Sequence, residues 1–359
     1  MNNMMRYCAR APVRVDPAGG GTDAPPFSVE YGGSVVNISV ARHAFASVDL
    51  LPPGSGVHIY SRDLQEGVSA GSVADLANSD AVEFLSAFVM RLAPDDASLL
   101  LVTESDIPAG SGLGGSGAIG VAVTAALDSA LGIDRPAADI AQVANSVERD
   151  NLGYAGGDQD SFGAAMGGFN LLSYPRGGGA TAHRHLDVDD NTRLAIEENS
   201  LLMYTGEAHL SGSIHEDIRH SYTLQNSPTI EAMTQLREQA QKMARALECG
   251  DLEGYANALN ASCENLYRLH ENCDCPAHRE LCGELSDLIL ARKTCGAGGG
   301  GFMLVYTRPG RRRECRAIAE ATGATVWPFT VDTHGVRMYT QGLSSKGEIK
   351  RIQDWIASP

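Results

Sequence analysis

The chain has 359 residues, enough for two domains and a large core, and its 44 Asp+Glu against 28 Lys+Arg give a net charge of −16. That balance excludes a typical nucleic-acid binder, which would present a basic face, and no apolar run approaches the eighteen residues that a membrane span needs. The opening stretch "MNNMMRYCARAPVRV" lacks the apolar segment of a secretory signal, so the eight cysteines are expected as reduced thiols in a cytoplasmic protein.

In chain order, a strand ends near Val13–Asp16, and "GGGTDAPP" follows as a loop. "SVVNISV" and "AFASVDLL" read as strands, residues 81–92 as a helix, and "SLLLVTES" as a short buried strand. Residues 115–131 have an apolar helical pattern on most faces, which predicts a buried helix. "RPAADIAQVANSVERDNLG" is a second helix, with Pro136 near its start and Gly153 past its end. "YAGGDQDSFGAAMGGFNLLSY" mixes loop and helix and leads to a strand. "RGGGATAHRH" reads as an exposed connection, which sets the expected domains at 1–178 and 179–359. "NSLLMYTG" is strand-like, residues 228–248, 252–270 and 277–293 are read as helices, and "KTCGAGGGGFMLVYT" is a glycine loop feeding a strand. "RRRECRAIAEATG" is the last helix, and "ATVWPFTVDTHGVRMYT" gives the last strands.

Three glycine clusters organise this pattern: "PAGGGTD" (17–23), "DIPAGSGLGGSGA" (106–118) and "GAGGGGF" (296–302). Glycine lets backbone N–H groups approach a ligand closely, and a helix N-terminus favours an anion. Gly110, Gly112 and Gly115 match G-x-G-x-x-G, but a longer loop precedes the helix and another helix, not a strand, follows it. A Rossmann unit is therefore rejected, and no G-x-x-x-x-G-K-[ST] occurs anywhere. Three separate loops suggest backbone wrapped around one ligand.

Pro108-x-x-x-Gly112-Leu113-Gly114-Gly115-Ser116-Gly117-Ala118 resembles the phosphate-binding motif P-x-x-x-G-L-G-S-S-A-A of the GHMP kinases. "RAPVRVDPAGGGTDAPPF" resembles that family's N-terminal motif in its sugar-kinase branch, and "KTCGAGGGGF" its C-terminal glycine motif. The closest likeness is to heptose 7-phosphate kinases and the kinase domains of fucokinases. Gly115 and Gly117 depart from the family's Ser and Ala.

The resemblance implies an α+β fold of two domains with the site in the cleft between them. The first domain would be of the ribosomal protein S5 domain 2-like type and the second also α+β. It implies ATP and Mg²⁺ as cofactors. Pro108, Gly110, Ser111, Gly112, Leu113, Gly114, Gly115, Ser116 and Gly117 would hold the nucleotide, and Ser116 and Glu148 the metal. Gly21, Thr22, Asp23, His209, Gly298 and Gly299 would line the acceptor site, with Ser211 beside His209. Arg14 would stabilise the transferring phosphoryl group. A carboxylate of "GGDQDSF" would take the acceptor's proton. Spacing to "FGAAMGG" favours Asp160, while Asp158 also precedes a Gln and stays open.

The expected activity is ATP-dependent transfer of a γ-phosphate to a sugar hydroxyl, the anomeric one of a heptose 7-phosphate. A fucose-like free sugar, a non-catalytic sugar/ATP sensor and a GHMP-type decarboxylase are the alternatives. The expected partner is a small sugar or sugar phosphate, with a homodimer left open. A phosphorylated acceptor would need cations, and Arg42, Arg62, Arg176 and Arg268 are available. "HENCDCPAHRELC" (270–282) superficially suggests zinc, but its spacing is not one of the usual structural sets, and reduced cysteines in a loop near the acceptor are expected.

Overall fold

A computed structural model describes residues 5–78, 82–152, 156–206, 211–224 and 226–342. The first part of the chain runs β1 (Met5–Ala18), α1 (Phe27–Tyr31), β2 (Gly33–Leu50), β3 (Val57–Ser61), β4 (Glu66–Ala70), α2 (Glu83–Leu92) and β5 (Leu99–Ser105). Then come α3 (Gly115–Leu131), α4 (Ala137–Ser146), a π-helical turn (Val147–Asn151), α5 (Gln159–Met166), β6 (Phe169–Tyr174) and β7 (Ala182–His185). The rest is α6 (Asp190–Asn199), β8 (Ser200–Tyr204), α7 (Ser211–Thr223), α8 (Ser227–Cys249), α9 (Leu252–Tyr267), α10 (Pro276–Glu284), β9 (Ile289–Thr294), β10 (Phe302–Thr307), α11 (Arg312–Ala321), β11 (Thr325–Pro328) and β12 (Arg337–Gly342).

Two sheets result. The larger has the path β12-β1-β2-β5-β3-β4, with β6 paired to one end of β2 and β7 to β6; the smaller is β11-β8-β10-β9. Pairing is antiparallel except between β3 and β5. The fold is α+β, as expected. The boundary expected at 178/179 does not divide the sheets, because β7 and β12 both belong to the larger one.

Helix α3 packs on β1 and β2. Twelve of its seventeen residues are buried, most of them Ala, Val or Gly, and such small side chains let it sit close to the sheet. It ends at Gly132, whose left-handed backbone turns its N–H back to the Asp128 and Ser129 carbonyls. The α8–α9 hairpin is cut the same way: Gly250 closes α8, and Asp251 caps α9 by accepting from Gly254 N at 2.9 Å.

The single helix expected over 277–293 is replaced by α10 and then β9. The cause is tertiary. Strand β10 is wholly buried, so its backbone needs partners on both edges, and Ile289–Thr294 supplies one of them. Among the described residues no helix is long and apolar enough to cross a membrane.

Candidate active site

The loop between β5 and α3 carries the central glycine motif. Gly112 has φ +81°, and a Cβ there would lie 2.6 Å from the Cys295 carbonyl oxygen, so only glycine lets this loop touch the 296–301 loop. Phe302 N donates to Ser111 O at 2.9 Å and fixes the contact. At the start of α3 the cap residue is Gly114 and no side chain caps the first turn. The first N–H groups of such a helix have no partner within it, and Ser116 is exposed among them, an arrangement whose partial positive charge favours an anion.

Arg14 on β1 lies beneath this loop and is 5% exposed. Its Nη1 donates to Gly112 O at 2.8 Å, while Nε and Nη2 donate to Asp160 Oδ1 at 2.8 and 2.5 Å. Burial lowers the arginine's pKa, but the carboxylates of Asp160 and Asp16 outweigh it and hold the guanidinium charged. Asp160 is in the first turn of α5, and Gly117 makes room for it. A Cβ at Gly117 would lie 2.6 Å from Asp160 Cβ.

Two more carboxylates share this region. Asp23 is 5% exposed, accepts from Gly21 N at 3.1 Å through Oδ1, and has no partner for Oδ2. Burial first, then the charges of Asp160 and Asp158, push its carboxyl up to about 7. Glu148 sits in the π-helical turn, a register change that regular helix seldom tolerates without a functional reason. It is 9% exposed, its Oε1 is unpartnered, and burial followed by the Asp160 charge raises it to about 8. Among the described residues no cation pairs with it; a buried carboxyl in that state is costly, and that chemistry fits a bound cation. Asp158, by contrast, is occupied: Tyr174 and Thr181 hydroxyls donate to it at 2.6 and 2.5 Å.

Residues 80–168 match the family described as GHMP kinases N terminal domain. The D-glycero-alpha-D-manno-heptose 7-phosphate kinase of Campylobacter jejuni is 27% identical over 92% of this chain and 98% of its own. A crystal structure of a D-glycero-D-manno-heptose 1-phosphate kinase from Bacteroides thetaiotaomicron superposes with a TM-score of 0.77 at 25% identity, covering 93% of this chain and 98% of that one. The chain carries a GHMP kinase N-terminal domain and has the GHMP kinase fold. The L-fucokinase/L-fucose-1-P guanylyltransferase of Bacteroides fragilis is 26% identical over 83% of this chain, which spans 34% of that relative.

Within this GHMP kinase fold, the matched segment contains the central glycine loop, Glu148, Asp158 and Asp160. Pro108 and Gly110 are exposed, and Ser111 and Leu113 are buried beneath them. Gly115 lies against Ile107. Gly21 lines the cleft beside Asp23. Thr22 is fully buried, and its hydroxyl donates to Gly19 O and Ser34 O, so it holds its own loop rather than facing a ligand. Gly298 and Gly299 pack against Cys273. His209 lies outside the described residues, as does the side chain of Ser211.

Of the four arginines considered for a second phosphate, Arg62 pairs with Glu104, Arg268 with Glu231, and Arg42 stacks on Trp327 at 4.6 Å. Arg176 lies in the exposed turn after β6. In the Cys/His stretch, His278 is fully buried and bonds Thr294 Oγ1 and Gly301 O, which braces the last glycine loop.

Sequence reasoning missed Asp16 and Lys293, both 1% exposed, and the Tyr174–Thr181 clasp on Asp158. The signal for Asp16 was present, since it lies inside the quoted N-terminal motif.

Gly117→Ala supplies one test of the packing. The added methyl gains about 0.5–1 kcal/mol of helix preference, but it must displace Asp160. The expected result is a fall in kcat of about tenfold or more, with KM for ATP changed less than about threefold. Steady-state kinetics at saturating ATP check this. An unchanged kcat would mean that Asp160 does not need its present position.

Proposed function

We propose that the protein is an ATP-dependent sugar kinase that transfers the γ-phosphate to the anomeric hydroxyl of a heptose 7-phosphate. The carrying observation is the Arg14–Asp160 pair lying directly against the glycine loop at the start of α3. The heptose phosphate kinases among its relatives support the choice of acceptor.

In this reading the N–H groups of α3 and its loop bind the ATP phosphates. Ser116 and Glu148 are the residues that would hold Mg²⁺, and the chemistry a bound Mg²⁺ supplies is neutralisation of phosphate charge. Asp23 accepts from a sugar hydroxyl through its unpartnered Oδ2. Asp160 takes the proton of the attacking hydroxyl as its oxygen bonds the γ-phosphorus and ADP leaves. Arg14 fixes the position of Asp160 through two hydrogen bonds and offers positive charge near the transferring group.

A second reading, a neutral sugar of the fucose type, has one observation in its favour. The cleft is lined by Asp16, Asp23 and Asp160, and its Arg14 is already paired. An ADP-release assay with Mg·ATP over sugars and sugar phosphates separates the two. Turnover dominated by a heptose 7-phosphate is expected; turnover of free fucose alone moves the acceptor to the second reading. ATP binding with no turnover on any sugar would indicate a sensor.

A further inference from the structure

Asp16 and Lys293 are absent from the chemistry above, yet both are almost completely enclosed. Asp16 lies two residues beyond Arg14 on β1, and Lys293 lies on β9, in the other sheet. Asp16 Oδ1 accepts from Gly296 N at 2.8 Å, and Oδ2 lies 3.6 Å from Lys293 Nζ. Lys293 Nζ also donates to Thr294 O at 2.5 Å. Gly20 is cut away to admit the carboxylate, since a Cβ there would lie 2.1 Å from Oδ2.

One carboxylate thus joins three parts. Its own strand carries Arg14. It anchors the first residue of the 296–301 loop, whose Gly296 lies against Gly112 of the phosphate loop. Its second oxygen sets a negative charge 3.6 Å from a buried ammonium that donates to a backbone carbonyl, Thr294 O, and so offsets part of the cost of burying that charge. The far end of the same loop is held by His278 through Gly301 O.

The geometry points to Asp16 as a positioning residue: with Lys293 it forms a buried ionic latch that sets the 296–301 loop against the phosphate loop and so fixes the nucleotide's seat. This rests on the kinase reading only for its kinetic readout. The latch is not used by the transferring atoms, and it acts through Gly296 and Gly112.

An amide at position 16 can accept from Gly296 N with its oxygen, but its NH₂ then faces the Lys293 ammonium, donor against donor. Asp16→Asn should therefore disturb the loop, and adding Lys293→Met should relieve that conflict while the amide oxygen still holds Gly296. The test measures KM for ATP and for the sugar, kcat, the thermal midpoint, and calorimetric binding of a non-hydrolysable ATP analogue. Wild type, Asp16→Asn and the Asp16→Asn/Lys293→Met pair are compared. For Asp16→Asn the expected result is nucleotide affinity weakened about tenfold or more, with KM for the sugar within about twofold. The double variant should recover most of that loss.

A lower thermal midpoint with unchanged ATP affinity would make the pair merely structural and overturn the proposal. A rise in sugar KM alone would overturn it as well, placing Asp16 on the acceptor. If Asp16→Asn does not fold, the charge-neutral double variant is compared with Asp16→Ala/Lys293→Met, which also removes the acceptor of Gly296 N: a nucleotide affinity weaker by about tenfold in the latter supports the latch, and equal affinity overturns it. Analogue binding reads the latch even if no sugar is turned over, so a failure of the kinase reading is distinguishable from a failure of this one.

Discussion

Asp160→Asn lowers kcat by about a thousandfold, within the range expected for loss of a positioned base, while the protein remains folded. The amide keeps one acceptor oxygen for Arg14 but loses both the proton acceptor and the negative charge. Arg14 is 5% exposed, so an uncompensated guanidinium costs stability; Asp160's side chain is 26% exposed, so water screens part of the loss. We expect about 1–2 kcal/mol of destabilisation near pH 6. The same substitution has an opposite effect nearby. Asp160 is one of the charges that hold Asp23 and Glu148 above the ordinary carboxylate range, so removing it lets both carboxyls titrate lower. The stability deficit should therefore shrink as pH rises through 7 and 8. Kinetics with the best acceptor, together with melting curves at pH 6 and 8.5, check both halves. Full activity in Asp160→Asn would remove it from the chemistry, and Asp158, already held by two hydroxyls, would then have to be tested.

Glu148→Gln should make the metal-free protein more stable while destroying its function. Glu148 is raised to about 8 from an ordinary 4.5 in the folded state. Between those values the native state binds more protons than the unfolded chain, so stability is lost as pH rises. Below about pH 4 both states are protonated, and Gln and Glu should be nearly equivalent. At pH 8.5 the variant should gain up to about 4–5 kcal/mol, read as a rise of several degrees in thermal midpoint. Turnover with Mg·ATP should fall at least about a hundredfold, and added Mg²⁺ should stabilise the wild type more than the variant. Equal midpoints across that pH range would show that Glu148 carries no such strain. The expected trade is ordinary for a site whose charges await a ligand: stability is sacrificed at the positions that bind it.

The elements most legible in the sequence were those that bury themselves by their own pattern. Helix α3 was bounded at 115 and 131 because glycine marks its N-terminal end, Gly132 stops it, and the run between is apolar on most faces. Helices α8 and α9 were read from their amphipathic pattern, and Gly250 and Asp251 lie in the gap between them. Strand β9 was not legible. Leu288, Ile289 and Leu290 fit a helix as well as a strand, and only the unfilled edge of β10 decides between them. Asp160 stood out because Gly156, Gly157 and Gly163 frame it on both sides, and Arg14 because it lies in the stretch that resembles the family's N-terminal motif. Lys293 did not, since nothing local indicates which distant carboxylate will meet a buried ammonium. Thr22 shows the reverse error. Its place in a motif suggested a ligand, but its hydroxyl is consumed by the turn that Gly19 begins.

The outer neighbour of β1 has a consequence for how the protein is made. Strand β1 holds Arg14, and along Met5–Arg10 one of its edges is covered by β12, Arg337–Gly342. During synthesis that edge stays open until almost the whole described chain has emerged from the ribosome. For that interval the nascent polypeptide presents an unpaired strand, an invitation to sticky pairing with other chains. Arg6 and Arg10 lie along that stretch of β1, where their charges discourage it. A strand near the end of the described residues thus closes the sheet on which the first part of the site is built.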